Sequence, residues 1–418
     1  MKIPIAITSC IIAAALGAAF FVIRTPFSYN VFDDPHKDTA ATSTSGFVVT
    51  HIKTPQQVKG IYMSGWAAGS PKLFPKVLDV IETTEVNSVV LDIKDYSGRI
   101  SFLVGDDSPL KAIGSPENRI PDIKQFLARL HDKGIYVIGR VSTFQDPYFV
   151  KLHPEYAVKT KAGAVWQDRH GIKWLDAGAE PVWNYFVTIA KESYAVGFDE
   201  IQFDYIRFPT DGNMRDISFT YGGNRKKADV LNDFFAYVDQ HLRKEEHIPI
   251  SADFFGLVTT SNDDLGIGQV LENGLAHFDY VSPMVYPSHY PLNYNGWPDP
   301  NRKPYDLIHY VLSKGMARAV AMNAPAIVAT STATTTSARK VPSIAFANAS
   351  AILAAASSTM KISPLQIRPW LQDFSIRGVT YTPDMVRAQI QATYDVGLDS
   401  WLIWNASNIY TKEAFLKE

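Results

Sequence analysis

Four aspartates follow short apolar runs that read as β-strands. They are Asp92 in Val90-Leu91-Asp92-Ile93-Lys94, Asp204 in Gln202-Phe203-Asp204, Asp253 in Ser251-Ala252-Asp253-Phe254, and Asp373 in Trp370-Leu371-Gln372-Asp373. One carboxylate after a strand is ordinarily a helix cap. Four of them, accompanied at equivalent places by Arg140, Arg207, Tyr286, His289, Trp370 and Trp404, fit a polar cleft with aromatic walls. Two carboxyl groups flanking a glycosidic bond act as acid and as base or nucleophile. Aromatic side chains offer flat apolar faces to sugar rings. The chemistry such a set would suit is on a carbohydrate. Asp204 takes the part of nucleophile or general base, and Asp253 that of general acid. Asp92, Lys94, Arg140, Arg207, Tyr286, His289, Trp370, Asp373 and Trp404 are the candidates for substrate binding. Strand alternation places Asp92 with Lys94, and Gln202 with Asp204, on one face. Simpler readings stand beside these. Asp204 could pair with Arg207, Asp92 with Lys94, Asp253 could be a buried hydrogen-bonded carboxyl, and Trp66, Trp370 and Trp404 could be core.

The elements that must position these residues alternate regularly. Strands are expected at 60–66, 88–94, 136–142, 199–207, 250–255, 280–286, 365–371 and 400–404. Amphipathic or capped helices are expected at 72–85, 123–133, 180–196, 226–243, about 268–273, from 305 to 314, and at 383–396. Eight strands alternating with helices predict an α/β fold, a (β/α)8 TIM barrel over 58–418. A doubly wound sheet is the alternative, and no Gly-rich phosphate turn follows the first strand to support it. In such a barrel the active site sits at the C-terminal ends of the strands, which is where the polar residues collect. A low-complexity insertion at about 327–360 interrupts the alternation and reads as a surface excursion.

Composition narrows the partners. The chain has 418 residues, with Lys plus Arg 40 and Asp plus Glu 42, a formal net charge of −2. That balance argues against nucleic acid as a partner. Hydrophobic residues at 46% and charged residues at 20% exclude a mostly disordered chain. Cys10 is the sole cysteine, so neither an intramolecular disulfide nor a Cys-based metal site is expected. Residues 3–23 are almost wholly apolar, between Lys2 and Arg24, long enough to span a bilayer as a helix. The segment 1–24 is therefore read as a transmembrane signal anchor in preference to a cleaved signal peptide, since Phe20-Phe21-Val22-Ile23-Arg24 is a poor cleavage site. Residues 25–57 read as a linker. The expectation is a single-pass membrane protein whose barrel is extracytoplasmic, or a secreted one if the segment is removed.

The sequence Gly197-Phe198-Asp199-Glu200-Ile201-Gln202-Phe203-Asp204-Tyr205-Ile206-Arg207-Phe208-Pro209 resembles the fourth-strand signature of a bacterial family of glycoside-hydrolase-like domains of unknown function. That family is similar to the wider set of amylase-like barrel hydrolases. Val90-Leu91-Asp92-Ile93-Lys94-Asp95, Ser251-Ala252-Asp253-Phe254-Phe255-Gly256, the run from Tyr280 to Tyr290, and Arg368-Pro369-Trp370-Leu371-Gln372-Asp373-Phe374 support it in order along the chain. The resemblance implies a barrel glycosidase with Asp204 as nucleophile. The acid/base on the fifth strand of such barrels is usually Glu, and Asp253 holds that position here. The resulting expectation is a glycoside hydrolase of an extracellular or cell-wall polysaccharide, with no cofactor or metal required. A non-catalytic barrel that holds an envelope glycan is the competing reading. A metal-dependent carbohydrate deacetylase ranks last, because His289 is the one histidine among the cleft candidates.

Overall fold

In the computed structural model, which describes residues 48–323 and 362–417, eight strands pair edge to edge into a closed, wholly parallel barrel. They are β1 Lys59–Met63, β2 Ser88–Lys94, β3 Tyr136–Ser142, β4 Glu200–Asp204, β5 Ile250–Phe255, β6 Tyr280–Met284, β7 Trp370–Gln372 and β8 Trp401–Trp404. Each strand pairs with its successor, and β8 returns to β1 through Lys59↔Trp401. Parallel neighbours need long crossovers. The main helices that supply them are α1 Phe74–Glu82, α2 Ile123–His131, α3 Glu180–Val196, α4 Lys227–Val238, α5 Leu271–His277, α6 Pro304–Ala321 and α7 Pro383–Asp395. The expected (β/α)8 barrel is present. The expected transmembrane segment and most of the linker, together with the 327–360 insertion, lie outside the described residues. Among the described residues no helix is long and apolar enough to cross a membrane.

Several strands are shorter than their apolar runs, for local reasons. β1 stops at Met63 because the Ser64 side chain caps a short helix, Gly65–Ala68, by accepting from the Ala67 N–H. β4 stops at Asp204 because Tyr205 turns into the left-handed region, φ 52°. The run expected as the seventh strand opens instead as a 3-10 turn, Pro364–Gln366, held by a capping box between Ser363 and Gln366.

The barrel interior is layered. Its floor, at the strand N-termini, holds Glu200, whose carboxylate takes the Arg368 guanidinium, the Ser251 hydroxyl and, at 3.1 Å, the Tyr136 hydroxyl. Glu200 and Arg368 are fully buried. Above them Val90, Ile138 and Leu402 fill the axis. A Cβ at Gly60 would lie 2.6 Å from Leu402 Cδ2, so a larger residue there would have to displace that side chain. The stretch before β1 is not a free linker throughout. Ile52 donates its N–H to Asp199 at 2.7 Å, and Thr54 meets the Tyr136 hydroxyl at 3.0 Å, so this stretch docks on the floor. Leu416, near the other end, pairs with Glu85 just ahead of β2, on the same side.

Candidate active site

The upper layer of the interior converges on Arg140, on β3. Its Nη1 donates to Asp92 Oδ1 at 2.6 Å. Nη2 and Nε donate to Asp204 Oδ2 at 2.6 Å and 3.0 Å. Asp253 Oδ2 lies 4.0 Å from Nε. One guanidinium from one strand thus gathers carboxylates from β2, β4 and β5. This is the fork geometry that Arg supplies and Lys does not. The side chains of Asp92, Asp204 and Asp253 are all buried, with Asp204 the least so at 8% exposed. The backbone N–H of Tyr205 donates to Asp204 Oδ1, a bond set up by the left-handed turn at that residue.

Each carboxyl has a distinct setting. Asp92 Oδ2 accepts from the Tyr62 hydroxyl at 2.6 Å, and burial raises its pKa against the pull of Arg140. Asp253 Oδ1 accepts from Trp370 Nε1 at 2.7 Å. Its pKa is held well above the ordinary carboxylate range, first by burial and then by the negative charge of Asp204, with Arg140 opposing. The two carboxyl groups are therefore in unlike settings: Asp253 holds a proton more tightly than an ordinary carboxyl, while Asp204 faces a guanidinium. The two Oδ2 atoms each contact Arg140 Nε, at 3.0 Å and 4.0 Å, so they stand no more than about 7 Å apart. That limit is reached only if the three atoms are collinear.

Aromatic side chains wall the centre. Tyr62 and Trp404 stack at 4.0 Å, the Arg140 guanidinium lies 5.2 Å from the Trp404 ring, and Trp370 meets Trp404 edge-on at 5.6 Å. Tyr286 belongs to the same inner cluster. Burial and the charges of Asp253 and Asp204 raise its pKa well above the usual phenol value, so it stays a donor.

Residues 60–329 and 331–410 match a family described as "Putative glycosyl hydrolase domain". The chain belongs to that family. A hypothetical protein from Ruminiclostridium thermocellum ATCC 27405, of known crystal structure, is 35% identical over 50% of this chain and 98% of its own, with a TM-score of 0.42. The PgaB (BpsB) glycoside hydrolase domain from Bordetella bronchiseptica is 11% identical over 84% of this chain and 95% of its own, with a TM-score of 0.53. Alpha-L-fucosidase isoenzyme 2 from Paenibacillus thiaminolyticus is 11% identical over 86% of this chain and 48% of its own, with a TM-score of 0.51. At 11% identity the last two show the shared barrel fold. No curated protein matches the chain.

Within this glycosyl hydrolase family fold, the structure sorts the remaining candidates. Asp92, Arg140, Asp204, Asp253, Tyr286, Trp370 and Trp404 are brought together. Lys94 is not. The β2–β3 register shifts between Asp92 and Lys94, which breaks the alternation that would have placed both on one face. Lys94 Nζ is buried instead against Asp146, at 3.0 Å, the Ser142 carbonyl and the Phe186 ring on α3. Asp373 also leaves the centre: its two oxygens clamp Thr411 through the backbone N–H at 2.7 Å and the hydroxyl at 2.6 Å. Asp204 pairs with Arg140, not Arg207. The Arg207 guanidinium lies over Trp174 at 5.0 Å and donates to the Phe208 carbonyl at 3.1 Å. His289 is at the rim, beside Ser288 Oγ at 3.0 Å and edge-on to Tyr286 at 5.2 Å. Burial, with Arg377 nearby, lowers its pKa to about 4, so the ring is neutral at pH 7. Among the described residues no group of three or more His, Cys, Asp or Glu side chains could hold a metal ion.

Sequence reasoning passed over Tyr62 as strand filler. Alternation from Gly60, read inside a closed barrel, would have pointed it at Asp92. Trp66, a possible core residue by sequence, is instead 64% exposed just beyond the end of β1. The Arg119 guanidinium backs its ring at 4.6 Å.

Proposed function

We propose that the chain is a glycoside hydrolase working by double displacement. The observation that carries the reading is the pair Asp204 and Asp253, both within reach of Arg140 Nε at the C-terminal mouth of the barrel. Retaining enzymes hold their carboxyl groups about 5–5.5 Å apart, and inverting ones about 6.5–9.5 Å. The upper limit of about 7 Å between the two Oδ2 atoms is compatible with the retaining range. Asp204 attacks the anomeric carbon, and Asp253 delivers its proton to the departing glycosidic oxygen. Asp253 then takes a proton from the water that releases the sugar. Arg140 keeps Asp204 oriented, and its charge relaxes onto Asp92 as Asp204 becomes an ester. Tyr62 fixes Asp92, and Trp370 fixes Asp253.

An extracellular or cell-wall polysaccharide is the proposed substrate class, with the barrel held outside the cell by residues 1–24. The apolar run at 3–23 and the uncharged aromatic walls of the centre support this reading. The test is release of reducing ends from bacterial envelope polysaccharides, with Asp204→Asn and Asp253→Asn as folded controls. Release lost in both variants supports a hydrolase. Glycan binding by all three proteins without release from any would replace it with a binding barrel. Protease treatment of intact cells tests the location, since an extracytoplasmic barrel is digested and a cytoplasmic one is spared.

A further inference from the structure

Two features outside the acid centre sit on opposite rims of the mouth. On the first rim, Trp66 follows β1 and is exposed, and it is not loosely held. Arg119 packs on its ring at 4.6 Å. Arg119 is itself nearly buried, and it is fixed by Asp95 at 2.6 Å and Glu117 at 2.7 Å, Asp95 lying just past β2. The result is a rigid indole platform that needs no reordering on contact, which keeps the entropic cost of binding low.

On the second rim lies a cavity of about 310 Å³, lined by the loops that follow β5 and β6 and by Tyr310 of α6. Leu257 and Leu265 provide apolar wall, Tyr294 and Tyr310 aromatic wall, and Thr260 and Asn295 polar groups. No charged side chain lines it. The size suits one small ligand unit, and a mix of apolar and neutral hydrogen-bonding groups suits a neutral sugar ring. Its walls are fixed: Tyr294 meets the Thr260 hydroxyl at 2.8 Å and packs on Tyr290 at 4.9 Å, between left-handed residues Asn293 and Asn295.

In a ring of eight strands, β1 and β5 are diametrically opposed. Trp66 and the Tyr294 cavity therefore belong to opposite sides of the ring whose interior holds Arg140, Asp204 and Asp253. We infer that the substrate is a neutral polysaccharide bound as a chain across the whole mouth, from the Trp66 platform to the Tyr294 cavity, and cut internally. This deepens the hydrolase reading and rests on it for the cut, whereas the binding geometry is separable.

The test uses the full chain carrying Asp204→Asn, so that ligands survive. Calorimetry compares disaccharides with octasaccharides of glucose, galactose and N-acetylglucosamine. At least one octasaccharide is expected to bind about tenfold or more tighter than its disaccharide. Trp66→Ala is expected to collapse that ratio towards one. Ser261→Tyr, which fills the cavity while keeping the Thr260–Tyr294 bond, should do the same. Equal affinity for both lengths, no binding in any series, or a ratio untouched by both variants overturns the inference. With the unmutated chain, mid-length products support internal cutting, and monosaccharide released from chain ends overturns it. Length-dependent binding without any hydrolysis leaves the spanning site standing and removes the hydrolase reading alone.

Discussion

Trp370→Phe isolates a single hydrogen bond at the proposed acid. Trp370 Nε1–H donates to Asp253 Oδ1 over 2.7 Å, and both residues are buried. Phenylalanine keeps an aromatic ring beside Trp404 and removes the donor. A hydrogen bond to a charged group contributes about 1.5–3 kcal/mol, and this one favours the ionised carboxylate. Burial and Asp204 already hold the Asp253 pKa well up, against Arg140 and this bond. Without the bond the proton is held more tightly still. Since about 1.4 kcal/mol is tenfold in proton affinity, the alkaline limb of kcat/KM should move up by about one pH unit or more. The sign for stability follows from the same linkage. Native Asp253 binds its proton more tightly than unfolded Asp253. Its contribution is therefore fully present below the unfolded carboxylate range and is lost as pH rises through the native titration. In the variant that loss extends to higher pH, on top of a pH-independent cost for the missing part of the indole. Urea unfolding at about pH 5 and about pH 8, with the pH profile of kcat/KM, measures both. A folded variant whose alkaline limb stays in place, or moves down, refutes the assignment of Asp253 as the acid.

Other substitutions probe the charges separately. Arg140→Met leaves three buried carboxyl groups without their shared cation; urea unfolding should show a loss of about 3–5 kcal/mol near neutral pH, shrinking as pH falls and the carboxyls protonate. Glu200→Gln strands the Arg368 charge on the barrel floor, with a similar loss of about 3–5 kcal/mol by the same assay, while kcat of the folded fraction is unchanged because the floor is remote from the mouth. Lys94→Met strands Asp146, and adding Asp146→Asn should recover part of the loss in a double-mutant cycle with kcat/KM unaffected throughout. A changed KM in Lys94→Met would put Lys94 back in the cleft.

The barrel was legible because its strands are short apolar runs separated by helix-period segments and turn signals, a pattern that survives without tertiary information. The acid centre was legible for a related reason. In this fold the C-terminal strand ends converge, so Asp92, Arg140, Asp204 and Asp253 could be gathered by position alone. What escaped depended on geometry that alternation does not encode. A one-residue register shift turned Lys94 outward. A left-handed Tyr205 ended β4 early and gave Asp204 a backbone partner. Asp373 was drawn off by Thr411, 38 residues away, and the Glu200–Arg368 pair of the floor joins residues 168 apart. No local window contains those partners.

The docking of Ile52 and Thr54 under the floor, with Leu416 held beside Glu85 on that side, fixes an orientation as well as a contact. Both ends of the described barrel leave through its base. A tether leaving either end of the described residues would therefore start from the side opposite the mouth. Immobilising the protein by either end of the described residues should leave the mouth unobstructed.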